Sequence, residues 1–426
     1  MAQRIATCDS LCYNILLFTP STAFDGGSIC LKGDIMKFKA AERLNKFETG
    51  IFASLNAEKD KLIKEGKKVY NLFIGTPDFA PPAHVTEAAS KAALDPENWK
   101  YSLTETDELL EAVCDYYVRR FGVSITPDMI TAVNGSQEGM GHIGMALCDK
   151  GDVVLLPDPG YPAFFAGATL GEAEIVYYPL TKENGFMPRL DLLDEEILKR
   201  TKYIVLSYPS NPVGAVADRA VFEEIIGYAK KYGFLIINDN AYSDIIFDGK
   251  QGFSFLSLEG VYEVGAEFFS LSKSFNVTGA RISFLIGNKD IVNALKKLRS
   301  QYDFGMFYPV QKAAVAALTG PTDSVVAQCR EYEARRNALL AGLKKYGWDI
   351  PKSQGTMFVW APLPKGFTDS KRFCEELVKE TGVLCTPGIA FGPHGEGYVR
   401  FALVLPPEAL GEIADVIGKS GFLDRR

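Results

Sequence analysis

Lys273 stands in the run Ser270-Leu-Ser-Lys273-Ser-Phe-Asn-Val-Thr-Gly279-Ala-Arg281, one amine among hydroxyls with a guanidinium eight residues on. A lysine amine attacks a carbonyl only when unprotonated, and an ordinary pKa of about 10.4 keeps that form scarce near neutrality. Burial and neighbouring cations both favour the neutral amine. The chain offers both: Phe268-Phe269-Ser270-Leu271 reads as the end of a buried strand, and Arg281 is a permanent cation. The planar guanidinium fork also suits a phosphate, toward which Ser270 and Ser272 can donate. Taken alone, Ser-x-Ser-Lys fits a surface loop lysine as well, so the reading depends on what accompanies it.

Three upstream residues and a helix start accompany it. Asp239 ends the apolar run Gly233-Phe-Leu-Ile-Ile-Asn238, a pattern consistent with a buried strand. A carboxylate there can pair with a protonated ring nitrogen, and Asn-Asp-Asn is also good turn chemistry. Tyr242, three residues on, can donate to a phenolic oxygen or be an ordinary half-buried tyrosine. Asn211 in Tyr-Pro-Ser-Asn-Pro can do the same or open an Asn-Pro turn. Ile130-Thr-Ala-Val133 reads as a strand, and Asn134-Gly135-Ser136-Gln137-Glu138-Gly139 opens a helix whose backbone N–H groups suit a phosphate. No Walker lysine follows and no G-x-G-x-x-G is evident, which disfavours nucleotides. An amine for an aldehyde, a carboxylate for a pyridine nitrogen, donors for a phenolic oxygen and a cradle for a phosphate are together what pyridoxal 5'-phosphate (PLP) asks of a protein.

Tyr161 in Asp-Pro-Gly-Tyr-Pro can stack on a planar ring or simply cover the strand Val153-Val-Leu-Leu156. Arg400 lies inside the apolar strand Gly397-Tyr-Val-Arg400-Phe-Ala-Leu-Val404. Arginine is seldom buried without an anionic partner. A substrate carboxylate and an internal Asp or Glu are both open as that partner.

These residues, in order and spacing from about Val69 to about Gly421, resemble the class I/II PLP-dependent aminotransferases of fold type I. The resemblance implies Lys273 as the residue that carries the cofactor and shuttles protons, Asp239 under the pyridine nitrogen, and Asn211 and Tyr242 at the phenolic oxygen. It implies Ser270, Ser272, Arg281 and the backbone of Gly135, Ser136 and Gln137 at the phosphate, Tyr161 on the ring, and Arg400 at the substrate α-carboxylate. Tyr101 resembles a tyrosine sent across a dimer interface to the partner's phosphate, and Gly75 in Ile-Gly-Thr-Pro-Asp-Phe resembles the loop lining the carboxylate site. Within the family, the phrases Pro157-Asp-Pro-Gly-Tyr-Pro162, Pro179-Leu-Thr-Lys-Glu-Asn184, Asp239-Asn-Ala-Tyr-Ser243, Glu267-Phe-Phe-Ser-Leu-Ser-Lys273 and Gly395-Glu-Gly-Tyr-Val-Arg400 are most similar to LL-diaminopimelate aminotransferases. That group shades into aspartate, alanine and aromatic aminotransferases.

The chain departs from the family phrase Gly-Trp-Arg-Ile-Gly, reading Gly279-Ala-Arg281-Ile-Ser283. Thr106 and Leu109-Leu110 stand where a glycine and Leu-Arg often follow Tyr101, and no second, side-chain-reading arginine can be assigned. The implied activity is transfer of an amino group between an amino acid, glutamate foremost, and a 2-oxo acid, in amino acid and specifically lysine biosynthesis. The implied assembly is a cytoplasmic homodimer with shared active sites. A PLP-dependent carbon–sulfur lyase shares the fold and is the alternative chemistry. A non-catalytic PLP-binding regulator would need a DNA-binding module, for which residues 1–35 are too short and not basic enough.

With 426 residues the chain exceeds one typical domain and suits a large one plus a smaller one. A net charge of −7 offers no footprint for nucleic acid. Eight scattered cysteines without a CxxC pair, and three histidines, suggest reduced thiols and no metal. Leu11–Phe18 is apolar but too short to span a bilayer, and no convincing cleavage site follows it. The expectation for residues 1–35 is a poorly ordered extension, with no membrane partner.

Strands are expected near residues 130, 153, 175, 204, 235, 268 and 283, alternating with helices such as 218–232 and 104–120; helices are also expected over 38–65, 290–300, 310–318, 324–346 and 372–381, and from 406. Such alternation predicts an α/β fold: a three-layer, mostly parallel sheet in a large PLP-binding domain at 76–310, plus a smaller α+β domain from 36–75 and 311–426.

Overall fold

The computed structural model describes residues 39–47 and 50–424; residues 1–35, expected as an extension, lie outside them. Twelve strands follow in chain order: β1 (Tyr70–Asn71), β2 (Ile130–Val133), β3 (Val153–Asp158), β4 (Glu174–Pro179), β5 (Thr201–Ser207), β6 (Leu235–Asp239), β7 (Gly265–Ser270), β8 (Ser283–Gly287), β9 (Phe358–Pro362), β10 (Val383–Leu384), β11 (Thr386–Pro387) and β12 (Tyr398–Ala402). The seven strands expected from apolar runs form one sheet in the order β2-β8-β7-β6-β5-β3-β4. β8 runs antiparallel to both its neighbours, and the other pairings are parallel. Strands such as β2, β3 and β7 are buried along their whole length, as expected of a sheet covered on both faces.

The helices start and stop where their ends have partners. Asp107–Phe121 begins at Thr106, whose side chain accepts the Leu109 N–H, and ends at Gly122 with φ 67°. Arg219–Tyr232 begins at Asp218, which caps Val221, and ends at Gly233 with φ 79°. Such caps are each worth about 1 kcal/mol. The segment expected as one helix over 38–65 is two pieces. A 3₁₀ turn covers Glu42–Lys46, Phe47 leaves helical geometry at φ −91°, ψ 111°, and a helix then covers Gly50–Lys64.

Residues Ser54–Arg426 form one compact unit, and it contains two kinds of core. Ile130, Leu155, Ile204, Ile236, Phe269 and Phe284 belong to the buried cluster on one face of the large sheet, and Val154, Val205, Ile237 and Phe268 to that on the other. A separate cluster surrounds the three-stranded sheet β11-β12-β9 and the pair β1-β10, with Leu72, Phe358, Phe373, Val399 and Phe401. Chain segments before and after the large sheet both contribute to this second core. No described helix is long and apolar enough to cross a membrane.

Candidate active site

In a parallel sheet the carboxyl ends of the strands gather at one edge, where the backbone leaves the ladder and side chains are free to converge. Gly135 follows β2, Tyr161 follows β3, Asn211 follows β5, Asp239 ends β6 and Lys273 follows β7. Because β8 runs the other way, its beginning lies at the same edge, and Arg281 stands just before it. Sheet topology thus collects there most of the residues singled out in the sequence.

Lys273 sits on the single helical turn Leu271–Ser274, opened by Ser270. Its amine donates to the Gly75 carbonyl at 3.0 Å, and its own carbonyl accepts from Gln328 Nε2 at 2.7 Å. Burial, then the Arg400 and Arg281 cations, lower its pKa to about 8, against a smaller opposing pull from Asp239. About a tenth of the amine is then neutral at pH 7, against under one in a thousand at the ordinary value. Lys273 feels Arg400, Arg281 and Asp239 electrostatically, Tyr161 feels the same three, and Tyr242 feels Arg400, Asp239 and Tyr161, so one neighbourhood contains them all.

Asp239 is buried, and burial raises its pKa to about 7, against the Ala241 backbone N–H and the Lys273 charge. Its Oδ1 has no hydrogen-bond partner. A buried acceptor left unpaired costs about 1–3 kcal/mol, a cost that an incoming N–H donor relieves. The flanking Asn238 and Asn240 are tied to Glu267 Oε2 at 3.5 and 3.3 Å. Glu267 is also held by Tyr117 at 3.0 Å, the Phe255 N–H at 3.2 Å and the Ser254 hydroxyl. Burial raises the Tyr242 hydroxyl pKa, so Tyr242 stays a proton donor.

The candidate phosphate cradle is equally specific. The helix Ser136–Leu147 points its N-terminus at this edge, and Gly135 enters it at φ 86°. A side chain at Gly135 would collide with the Arg281 guanidinium, so the glycine lets a cation approach the helix start. Gly139 serves similarly on the far side, since a Cβ there would strike the Phe268 ring of the sheet. Arg281 itself is left-handed at φ 53°, ψ 53°, which costs a residue with a Cβ about 1–2 kcal/mol and aims its side chain back at the cradle. Ser136 Oγ is buried and unpartnered, while the Ser136 N–H donates to Ser283 Oγ at 3.1 Å. Tyr161 OH donates to Gln137 Oε1 at 2.9 Å. A cation, buried hydroxyls and a helix N-terminus converge on a space that a Cβ would fill, and an unpaired carboxylate oxygen waits at Asp239. The residues present fit PLP.

Arg400 comes from β12 in the smaller sheet. It is buried, and burial lowers its pKa to about 10. Its hydrogen-bond partners are neutral: Asn211 Oδ1 at 2.8 Å, the Phe73 carbonyl at 3.2 Å and Thr386 Oγ1 at 3.4 Å. Among the described residues no aspartate or glutamate pairs with it, and its Nε has no partner. The rings of Phe358 and Phe391 lie 4.0 and 4.6 Å from the guanidinium. Gly75 is needed here too, because a side chain there would overlap the Phe358 ring. Tyr101, by contrast, is 86% exposed and stands apart from this buried cluster.

The sequence reading did not single out Phe358, Phe391, Thr386, Gln328 or Glu267 for the site. Strand alternation gave one usable signal, since Arg400 pairs with Trp360 and Ala402 with Phe358, which sets Phe358 on the Arg400 face of the sheet. Nothing local marks Gln328 or Thr386.

A family model for class I and II aminotransferases matches residues 67–417. An LL-diaminopimelate aminotransferase of Moorella thermoacetica is 38% identical, the match covering 90% of this chain and 99% of the relative. Substrate-bound BacF of Bacillus subtilis superposes with a TM-score of 0.86 at 35% identity, covering 90% of this chain and 98% of that one. A probable N-succinyldiaminopimelate aminotransferase of Thermus thermophilus gives a TM-score of 0.83 at 35% identity, over 87% and 100% of the two chains. Similarity of this extent, over a sheet edge already shaped for the cofactor, makes the chain a member of the class I and II aminotransferases and a PLP-dependent transaminase.

Proposed function

We infer that this transaminase moves an amino group from glutamate to the 2-oxo precursor of LL-diaminopimelate, a step of lysine biosynthesis, in the cytoplasm. The observation that carries the amino acid reading is Arg400, a buried guanidinium with neutral partners and an unpaired Nε, on the same edge as the depressed Lys273 amine. The substrate reading rests on the relatives' names together with the sequence phrases shared with that group.

PLP, when bound, supplies an aldehyde for the amino group and a ring that withdraws electrons from the substrate. The chain's residues do the rest. Lys273 Nζ would take the proton from the substrate Cα as a base and hold it for return as an acid, with a pKa near working pH suited to both directions. Arg400 and Asn211 hold the α-carboxylate and so set the angle of the Cα–H bond, a positioning effect. Asp239 would pair with the ring nitrogen and Tyr242 would donate to the phenolic oxygen. Gly135, Ser136, Gln137, Ser270, Ser272 and Arg281 would hold the phosphate, and Tyr161 would cover the ring. Phe358 and Phe391 keep water from the guanidinium.

The working unit in this reading is a homodimer in which Tyr101 reaches the partner's phosphate. Tyr101 lies in an exposed apolar stretch with Trp99 and Leu103, beside exposed Phe304 and Phe307. Trp99 packs on Phe307 with centroids 5.2 Å apart, and the Gly305 N–H binds the Ser102 carbonyl at 2.8 Å. A patch of this kind on a soluble enzyme favours a protein partner. We assign a large domain at 76–310 and a small one from 36–75 and 311–426, supported by the core around Leu72, Phe358, Phe373 and Phe401; that core also takes in Tyr242, Ile245 and Phe247, while Ala317, Leu318, Trp360 and Phe391 pack with the large sheet.

The test is a matrix of amino donors against 2-oxo acid acceptors on the purified chain. Fastest transfer is expected from LL-diaminopimelate to 2-oxoglutarate, the reverse of the proposed direction. A clear preference for aspartate, alanine or an aromatic amino acid would overturn the substrate, and release of pyruvate from cystathionine without an acceptor would overturn the reaction. A monomer by light scattering would remove the shared site.

A further inference from the structure

β8 runs antiparallel between β2 and β7, so its first residue lies where those two strands end. That residue is Ser283, paired with Val133 on one side and Ser270 on the other. Just beyond Val133 come Gly135 and Ser136, and just beyond Ser270 come Ser272 and Lys273. These are the two halves of the phosphate cradle, delivered by separate strands, and a single side chain stands between them. It is also one of the two positions, with Ala280, where the chain departs from the family phrase.

Ser283 is fully buried. Its Oγ accepts the Ser136 N–H at 3.1 Å and donates to Ser270 Oγ at 2.9 Å. Ser270 Oγ accepts a second hydrogen bond, from the Ser272 N–H at 3.2 Å. A serine hydroxyl has two lone pairs and one proton. With both lone pairs of Ser270 occupied, only its proton is left for a ligand, and a group that meets it must accept. Hydrogen bonds in series also polarise one another and strengthen the terminal donor.

The geometry points to Ser283 as a positioning residue that ties the two halves of the cradle together and fixes the Ser270 hydroxyl as a donor toward the cofactor phosphate. This rests on the phosphate assignment proposed above. Ser283 does not itself touch the phosphate; it acts through Ser270 and through the Ser136 backbone.

The test compares PLP with pyridoxal, which has the same ring and aldehyde but no phosphate. Apo forms of the full chain, of Ser283→Ala and of Ser283→Gly are titrated with each, following the absorbance of the bound ring. Wild type should prefer PLP. Both variants should lose about three- to tenfold in PLP affinity, the size of one charge-assisted hydrogen bond weakened, while binding pyridoxal as wild type does. Unchanged PLP affinity would overturn the proposal. So would a parallel loss for both ligands, or failure of both variants to fold, because either would make the hydroxyl a support of the fold alone. A wild type that binds PLP no better than pyridoxal would instead remove the phosphate assignment, and is thereby distinguishable.

Discussion

The phosphate end of the site and the guanidinium end are built in different ways. At the phosphate end, Gly135, Ser270, Lys273 and Arg281 leave adjacent strands of one sheet, and the backbone ladder sets their spacing directly. At the guanidinium end, Arg400 comes from a smaller sheet, Asn211 from the loop after β5, Thr386 from β11, and the Phe73 carbonyl from the segment after β1. Three stretches far apart in sequence, around Phe73, around Asn211 and the β11–β12 pair that carries Thr386 opposite Arg400, must pack before that end exists. The first arrangement suits a cofactor of constant shape. The second leaves each piece open to change, which is what a site for variable substrates needs.

Substitutions at the two ends should fail differently. Lys273→Ala should give the largest effect, a fall in turnover of about 10²–10⁴-fold or more, with loss of the ring absorbance of covalently held cofactor. A variant that keeps both spectrum and turnover would take the lysine out of the site. Arg400→Ala should lower kcat/KM for amino donors by about 10²-fold, the worth of a buried charged hydrogen-bonding group. Its cofactor spectrum and PLP affinity should stay close to wild type. Equal damage to PLP affinity would mean that the two ends are one cooperative structure, and the contrast would fall.

Asp239 sharpens the same contrast through pH. Its folded pKa of about 7 lies above the ordinary 3.8, so the folded apoprotein holds this proton more tightly than the unfolded chain. The stability associated with that proton is fully present below about pH 4 and is lost as pH rises through about 7. Asp239→Asn, which never ionises, should therefore become more stable than wild type as pH rises over that window, by on the order of 2–4 kcal/mol at the plateau. Denaturant melts of both apoproteins from pH 5 to 8 check this, and a difference that does not grow with pH would contradict the burial argument. With PLP bound the order should reverse, because the wild-type carboxylate then has a cationic partner. The smallest effect is expected from deleting residues 1–35, which precede the matched family region at 67–417. Steady-state rates and PLP affinity should both be unchanged, and a folded but inactive truncation would show that one end of the site needs the leader.

The large sheet was legible because most of its strands are short apolar runs bounded by turn residues, and burial on both faces demands little else; the edge strand β4 is only partly buried. Most of the residues proposed to hold the cofactor follow such a run by a few positions, so local pattern and candidate position coincide, whereas Arg281 precedes its strand. The same logic does not reach Gln328, which anchors the Lys273 carbonyl from a helix 55 residues away, or Phe358 and Phe391, whose rings look like ordinary core. Glu267 stood in view within the phrase ending at Lys273, but its burial among Tyr117, Ser254 and the asparagines beside Asp239 is a product of three-dimensional neighbours. The helix expected over 38–65 illustrates the opposite error. Periodicity runs through Phe47, yet the backbone there is extended, and apolar spacing alone does not reveal such a break.

Sequence by itself settled the chemical kinds of group present and the strands that deliver them, since apolar runs and turn residues act over a few neighbours. Only the folded molecule decided that Arg400 has neutral company, that one oxygen of Asp239 is left without a donor, and that Ser283 links two strand ends. Hydrogen bonds and desolvation depend on contacts between segments distant in the chain, and those exist only once the layers have packed.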